Sequence, residues 1–453
     1  MKHLWSLICI VFAGSLAAQQ TPVTIKGRVD DPLLKDVRIS IFEDYFSLKP
    51  RILARARVQN QAFKAEFQID RPYIARVYGG LYDKQLIIEP GASYDLGIRN
   101  DSTQRLKIQQ SGGTPGINDR YLDLLYAFDD FIIDHEKEIL RGQYTRQTSA
   151  FCQHLKDSLS VTKLGPILQD LLTYRCAELE MVARSKSKSK IFVEYFVRNV
   201  PDIYGAEYAY FFKEFYTGVF SEEYMKNSGA DILAIINEGK GLAALSARFD
   251  SVPYYGPGQE LKELALLYGL MEALGDKKLL KSEQVWLLIE ELGSKGSTVS
   301  VRTAASNFMA RLAPLKKGEA APELEITDEQ GKTLKLSDLK GQPVYLCFFD
   351  PMTESCALEV SSMVPLYKKF GTRVHFVPVA VKANAADLQE FKFGNGIYLP
   401  LYRIEESEAV APFKVRSVIS FLLLDAEGRI LNSSAPFPLS AEADLEKLAA
   451  EKR

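Results

Sequence analysis

The sequence predicts a multidomain protein: an N-terminal antiparallel β sandwich or barrel, a central all-α domain and a C-terminal α/β domain. Three observations carry this expectation. The chain has 453 residues, and at roughly 100–200 residues per domain it should hold more than one core. The hydrophobic period changes along it, from alternation, to helical stripes, to continuous apolar runs interleaved with helical stripes. A turn-rich stretch, QQSGGTPG at 109–116, marks the first change and reads as a linker.

Composition sets outer bounds. Hydrophobic residues make up 47% and charged residues 25%, the balance of a folded chain. Lys plus Arg number 56 against 58 Asp plus Glu, so a net charge of −2 gives no general pull toward nucleic acid or anionic lipid. The first twenty residues, MKHLWSLICIVFAGSLAAQQ, have a basic start, an apolar run from Leu4 to Phe12 and small residues after it. Ser15 and Ala17 fit a signal-peptidase site, so residues 1–18 are expected to be a cleaved signal peptide. Cys9 lies too early in the apolar run for a lipoprotein site. No later stretch reaches the length of a membrane helix. Export follows, to the periplasm or cell envelope, either free there or associated with the outer membrane.

Residues 19–110 alternate as strands do. VTIKGRV places Val23, Ile25 and Val29 on one face, VRISIF repeats this with Val37, Ile39 and Ile41, and AFKAEFQI follows with Phe63, Phe67 and Ile69. Residues 117–315 turn helical. The first helix is assigned a stripe at positions 122, 125, 129, 132 and 133. AEYAYFFKEFYTGVF is dense in Tyr and Phe and is expected to be helix-to-helix core. Arg184, Lys186, Lys188 and Lys190 alternate with serines and are expected to form a solvated loop.

Residues 318–453 form the third segment. PVYLCFF is an apolar strand suited to burial on both faces. CALEVSSMVPLYKKF follows as a helix with Val360, Met363, Val364 and Tyr367 on one face and a kink expected at Pro365. VHFVPVAV, ADLQEFKF, the VISFLLLDAEGRIL hairpin and EADLEKLAAE complete a β-β-β-α-β-α-β-β-α order. That order is the one of a thioredoxin-type sheet.

The residues then become specific. GEAAPELEITDEQGKTLKLSDLKGQPVYL, ALEVSSMVPLYKKF and VRSVISFLLLDAEGRI resemble the opening, the site helix and the later strand pair of the exported TlpA/ResA thiol–disulfide oxidoreductases, including their AhpC/TSA-like members. IKGRV, F-x-x-E-F and IIEPGASYDL resemble the β domain of unknown function that precedes thioredoxin-like domains in some exported proteins. The resemblance implies a thioredoxin-like fold with a W-C-x-x-C redox centre and a cis-proline facing it. Here Met352 takes the tryptophan's place, Thr353 the first cysteine's and Cys356 the second's, while Ile419 takes the proline's. Glu359, the acidic residue the family carries three positions after its second cysteine, is retained and is expected on the helix surface.

Disulfide exchange needs an attacking thiolate and a second thiol to release the mixed disulfide. A threonine hydroxyl cannot replace the first. The expected function is therefore a non-catalytic binding or scaffold role in the cell envelope, with an envelope polypeptide as partner. The alternative is a single-cysteine thiol enzyme using Cys356: a peroxiredoxin-like peroxidase, or thiol–disulfide exchange with an external thiol. Thr353 and Cys356 fit the end of a P-x-x-x-[ST]-x-x-C motif, but Pro351 stands five residues before the cysteine where seven are wanted. Arg416 is the candidate peroxide-polarising arginine. Cys347 reads as core, and Cys152 and Cys176 lie in a helical region where they could pair. His135, His154 and His375 are scattered, so neither a metal nor a cofactor is expected.

Overall fold

A computed structural model describes residues 21–30, 34–79, 82–98, 107–158, 165–226, 229–256, 258–275, 279–405, 407–415 and 419–450. The signal peptide expected at 1–18 lies outside them. The chain divides into two compact units, Met1–Phe308 and Met309–Arg453.

The N-terminal unit opens with strands β1 (Thr21–Val29), β2 (Asp36–Phe42), β3 (Pro50–Arg57), β4 (Ala62–Ile69), β5 (Tyr73–Gly79), β6 (Tyr82–Ile88), β7 (Ser93–Ile98) and β8 (Lys107–Ser111). They form two four-stranded sheets, ordered β4-β1-β7-β8 and β3-β2-β5-β6. Pairing is antiparallel except between β1 and β7, which run parallel. The alternation seen in the sequence fixes which side chains turn inward. Val23, Ile25, Val29, Val37, Ile39 and Ile41 share one core with Val77, Leu86, Tyr94 and Leu96. The expected linker begins inside β8, and the turn after it is held by Glu89, which accepts from Thr114 N at 2.6 Å and Thr114 Oγ1 at 2.9 Å.

Helices follow: α1 (Ile117–Leu140), α2 (Thr145–Ser158), α3 (Pro166–Val182), α4 (Lys188–Phe192), α5 (Ala206–Tyr216), α6 (Val219–Met225), α7 (Gly229–Asn237), α8 (Gly241–Arg248), α9 (Gln259–Ala273), α10 (Ser282–Lys295) and α11 (Val299–Leu312). The buried face of α1 is Ile117, Tyr121, Leu124 and Phe128, not the stripe assigned from sequence. Asp129, Ile132 and Ile133 are exposed, because an acidic residue breaks that stripe and its neighbours rotate out. The Tyr/Phe-rich stretch is core: Tyr208, Phe211, Phe212, Phe215, Tyr216 and Phe220 are each at most 1% exposed.

The Arg184–Lys190 run is solvated as expected at Arg184, Lys188 and Lys190, but it is not loop throughout, since α4 begins at Lys188. Ser187 accepts from Lys190 N and caps α4, Lys186 pairs with Glu180 and Glu194 at 2.8 Å, and the Lys188 ammonium lies 4.9 Å above the Phe215 ring. Cations on short spacing can thus be tied down singly, by carboxylates and by ring faces.

Two buried side chains join sheets to helices. Asp44, fully buried, accepts from Ser47 N at 2.6 Å and from Asn307 Nδ2 of α11 at 2.9 Å. Asn118 of α1 accepts from Ile87 N at 2.6 Å and donates to Ile87 O at 3.0 Å. Packing among the helices is close. A methyl group at Gly269 of α9 would overlap Cβ and the ring of Phe220, which stacks on Phe249 at 5.3 Å. Gly269→Ala is expected to destabilise the unit by about 1–3 kcal/mol, read as a lowered urea midpoint at unchanged slope.

The C-terminal unit contains β9 (Glu325–Asp328), β10 (Thr333–Lys335), β11 (Val344–Phe349), α12 (Glu354–Phe370), β12 (His375–Val381), α13 (Ala385–Gly394), β13 (Tyr402–Ile404), β14 (Ile419–Leu424), β15 (Ile430–Asn432) and α14 (Pro438–Ala450). These strands form a seven-stranded mixed sheet ordered β10-β9-β13-β12-β11-β14-β15. β11, β12 and β13 are mutually parallel, and β14 returns antiparallel to β11. All six residues of β11 are buried, as its unbroken apolar run requires. Tyr345, Cys347 and Phe349 face one core with α12 and α14, while Val344, Leu346 and Phe348 face the other.

Two details differ from expectation. β13 is an extra strand of three residues, too short to show alternation. α12 runs through Pro365 as one helix: Pro365 is exposed, so water can serve the carbonyl its ring leaves unpaired.

Candidate functional site

The site lies where β11 ends and α12 begins. Asp350 turns the chain, accepting from Met352 N at its Oδ1 (2.9 Å) and from Thr353 N at its backbone oxygen (3.2 Å). Thr353 is the N-cap of α12 with extended backbone, and its side chain makes no capping hydrogen bond. It is exposed, as is Met352 beside it. Cys356 stands one turn in, where its amide donates to Thr353 O at 3.0 Å and its side chain enters the core, 2% exposed. Thr353 thus holds the open position at the helix N-terminus, where a thiol would be most acidic. Cys356 holds the enclosed one.

The electrostatics of the enclosed position disfavour a thiolate. Burial pushes the Cys356 thiol up, and the nearby charges of Asp350 and Glu359 push the same way against a hydrogen bond from the Asp350 backbone. Cys347, on β11 beneath it, is raised further by complete burial and then by Cys356 and Glu359. Glu359 is not the surface residue expected from sequence. It is half-buried, its Oε2 is enclosed with no hydrogen-bond partner among the described residues, and its charge acts on Cys347, Cys356 and Tyr345. A helix wheel places it within reach of Cys356, and that spacing was the signal available.

Ile419 opens β14 and pairs across the ladder with Phe349, the last residue of β11, so it faces the same end of the sheet as Thr353. The peptide bond into Ile419, and Arg416, lie outside the described residues.

Among the described residues the other cysteines are free thiols too. Cys152 of α2 and Cys176 of α3 are neighbours in one core, and a hydrogen bond with the Cys152 thiol, together with burial, raises the pKa of Cys176. His135 stacks on Tyr144 at 4.4 Å between ring centroids. Among the described residues no group of three His, Cys, Asp or Glu side chains could hold a metal ion. Nor is any described helix long and apolar enough to cross a membrane. In the N-terminal unit the structure gathers Asp170, Asp202 and Glu207 around one cavity, a set that sequence reasoning missed. Only the Pro201–Gly205 turn ahead of α5 hinted at a special position there.

A central parallel β11–β12–β13 set, a returning β14–β15 hairpin, α12, α13 and α14 on one face and short 3-10 turns at Leu336–Leu339 and Ser407–Phe413 on the other define a thioredoxin-like domain, with its site at the β11–α12 junction. Within it, residues 317–431 match the AhpC/TSA family model. The thiol–disulfide oxidoreductase ResA of Bacillus subtilis is 28% identical over 118 residues, which cover 26% of this chain and 66% of that protein. ResA of Bacillus thuringiensis is 27% identical over 131 residues, 28% of this chain and 75% of that protein. A crystal structure of the thioredoxin domain of a thiol–disulfide oxidoreductase from Bacteroides vulgatus covers 30% of this chain and 99% of its own, with 19% identity and a TM-score of 0.28.

Proposed function

We propose that the C-terminal domain is a binding module that no longer exchanges thiols and disulfides, within a protein exported to the cell envelope. The observation that carries this reading is Thr353: the exposed N-cap of α12, where exchange needs sulfur, holds a hydroxyl. Cys356 does not compensate. Burial raises its pKa, so at neutral pH it is overwhelmingly the unreactive thiol. The same environment weighs against the peroxidase reading, which requires an accessible, acidified cysteine.

The turn still presents a contact surface. Met352 is 74% exposed and Leu358 69%, large apolar side chains flanking the helix N-terminus. An exported polypeptide laid across this end of the sheet is the partner that such a surface suits. The leader-like sequence at residues 1–18 supports export.

Titration of the folded, full-length mature protein with a coloured disulfide reagent near neutral pH tests the reading. Cys356 is expected to react at least about tenfold more slowly than the same cysteine in urea-unfolded protein. Insulin reduction by dithiothreitol should not be accelerated. A fast native reaction that disappears in Cys356→Ser would sink the binding-module reading.

A further inference from the structure

The N-terminal unit holds a cavity of about 160 Å³ between the β4–β5 turn and helices α3 and α5. Its walls are aromatic: Tyr45, Tyr73 and Tyr204 line it, and the Arg71 guanidinium lies over the last two rings at 5.0 and 4.4 Å. Three carboxylates complete the lining, Asp170 of α3, Asp202 of the turn before α5, and Glu207 of α5.

Their charge is poorly matched. Glu207, 5% exposed, has Arg175 Nε 3.0 Å from Oε2, but Arg175 also serves Glu178 at 3.2 Å. Asp202 accepts one hydrogen bond, from Tyr204 N at 2.9 Å, and the N-terminus of α5 offsets part of its charge. Asp170 has no hydrogen bond or ion pair among the described residues. Burial and then the Asp202 charge push its carboxyl up to about 6. Burial likewise pushes Glu207 up to about 7, against the pull of Arg175.

Two further observations point to an occupant. Tyr45 is 6% exposed and lines the cavity, yet its hydroxyl has no hydrogen-bond partner among the described residues. Gly205 leaves open the space between the two aspartates: a Cβ there would stand 2.7 Å from Asp202 Oδ2 and 3.4 Å from Asp170 Oδ2.

We propose that this cavity binds a small organic ammonium ion. An ammonium carries three N–H donors, and Asp170, the second oxygen of Asp202 (Oδ2) and the Tyr45 hydroxyl accept from no donor among the described residues. Ring faces suit the cation and its alkyl stem alike. An anion would meet three carboxylates. The volume matches that of an engineered cavity of about 150 Å³ that admits benzene, so about six heavy atoms fit.

Affinity should depend on pH. Asp170 faces Asp202, Tyr174 and Glu207, and Arg71 lines the same cavity over the Tyr73 and Tyr204 rings. Both raised carboxyls lose charge as pH falls through 7 and 6 while an alkylamine keeps its own.

Calorimetric titration of the full chain with putrescine tests this, with butanediol as the neutral analogue of equal length. Putrescine is expected to bind at least about tenfold more tightly than the diol at about pH 8, and about tenfold more weakly at about pH 5. Asp170→Asn should cost at least about tenfold in affinity at the higher pH while keeping the thermal midpoint. Gly205→Ala should weaken binding too, and circular dichroism would report whether it folds. Equal binding of diol and diamine, no heat at millimolar putrescine, or unchanged affinity in Asp170→Asn would each overturn the proposal.

Discussion

Thr353→Cys is expected to give the C-terminal domain a reversible disulfide with Cys356. The two positions are three residues apart across the first turn of α12, close enough for Cα separations that a disulfide accepts. The new thiol would be exposed at the helix N-terminus and therefore acidified, while Cys356 already occupies the enclosed position one turn in. Oxidised glutathione would take up the two electrons, leaving two reduced glutathione molecules and one protein disulfide. Alkylation and mass measurement across a series of glutathione buffers should show two thiols protected together in the variant and none protected at this site in the parent protein. Insulin reduction should remain slow in the single variant and rise on adding Ile419→Pro, because Ile419 stands opposite the end of β11. If the variant's thiols stayed free in the most oxidising buffer, the N-cap geometry assigned to Thr353 would be wrong.

Phe196→Ala is expected to cost about 3–5 kcal/mol, the largest single-site loss in the N-terminal unit. Phe196 lies in a π-helical turn, Val193–Val197, that continues α4. Its ring is parallel to Phe211 at 5.3 Å, edge-on to Phe212 at 5.7 Å and tilted against Phe215 at 4.8 Å. Truncation removes apolar burial and opens a void that three fixed rings cannot collapse into. Urea unfolding followed by tyrosine fluorescence measures this. Phe393→Ala, at a side chain 80% exposed, is the matched control and should change stability by less than about 0.5 kcal/mol.

Much of the C-terminal domain was legible because its strands are long apolar runs and its turns carry Gly and Asp. Val344–Phe349 could be nothing but a central strand, and the hairpin around Asp425–Gly428 closes as written. Tyr402–Ile404 was not legible, since three residues hold no period. Glu359 was misplaced for a different reason. Charge argues for the surface, and only the packing of α12 on β11 turns its carboxyl inward. The stripe on α1 failed because Asp129 sits where an apolar residue was needed, and the true face was one position earlier. Asp170 and Asp202 are 32 residues apart, so only the packing of α3 against the start of α5 could join them.

The buried pairings of Asp44 with Asn307 and of Asn118 with Ile87 constrain how this chain can be recombined. A graft that moved the strands without the helices would strip the Asp44 carboxylate and both backbone groups of Ile87 of these partners, each a penalty of about 1–3 kcal/mol if it stayed shielded from water. Such a chimera should aggregate, whereas a cut near residue 308 severs neither tie. Gene fusion and module shuffling in this lineage would therefore carry strands and helices as a single heritable cassette.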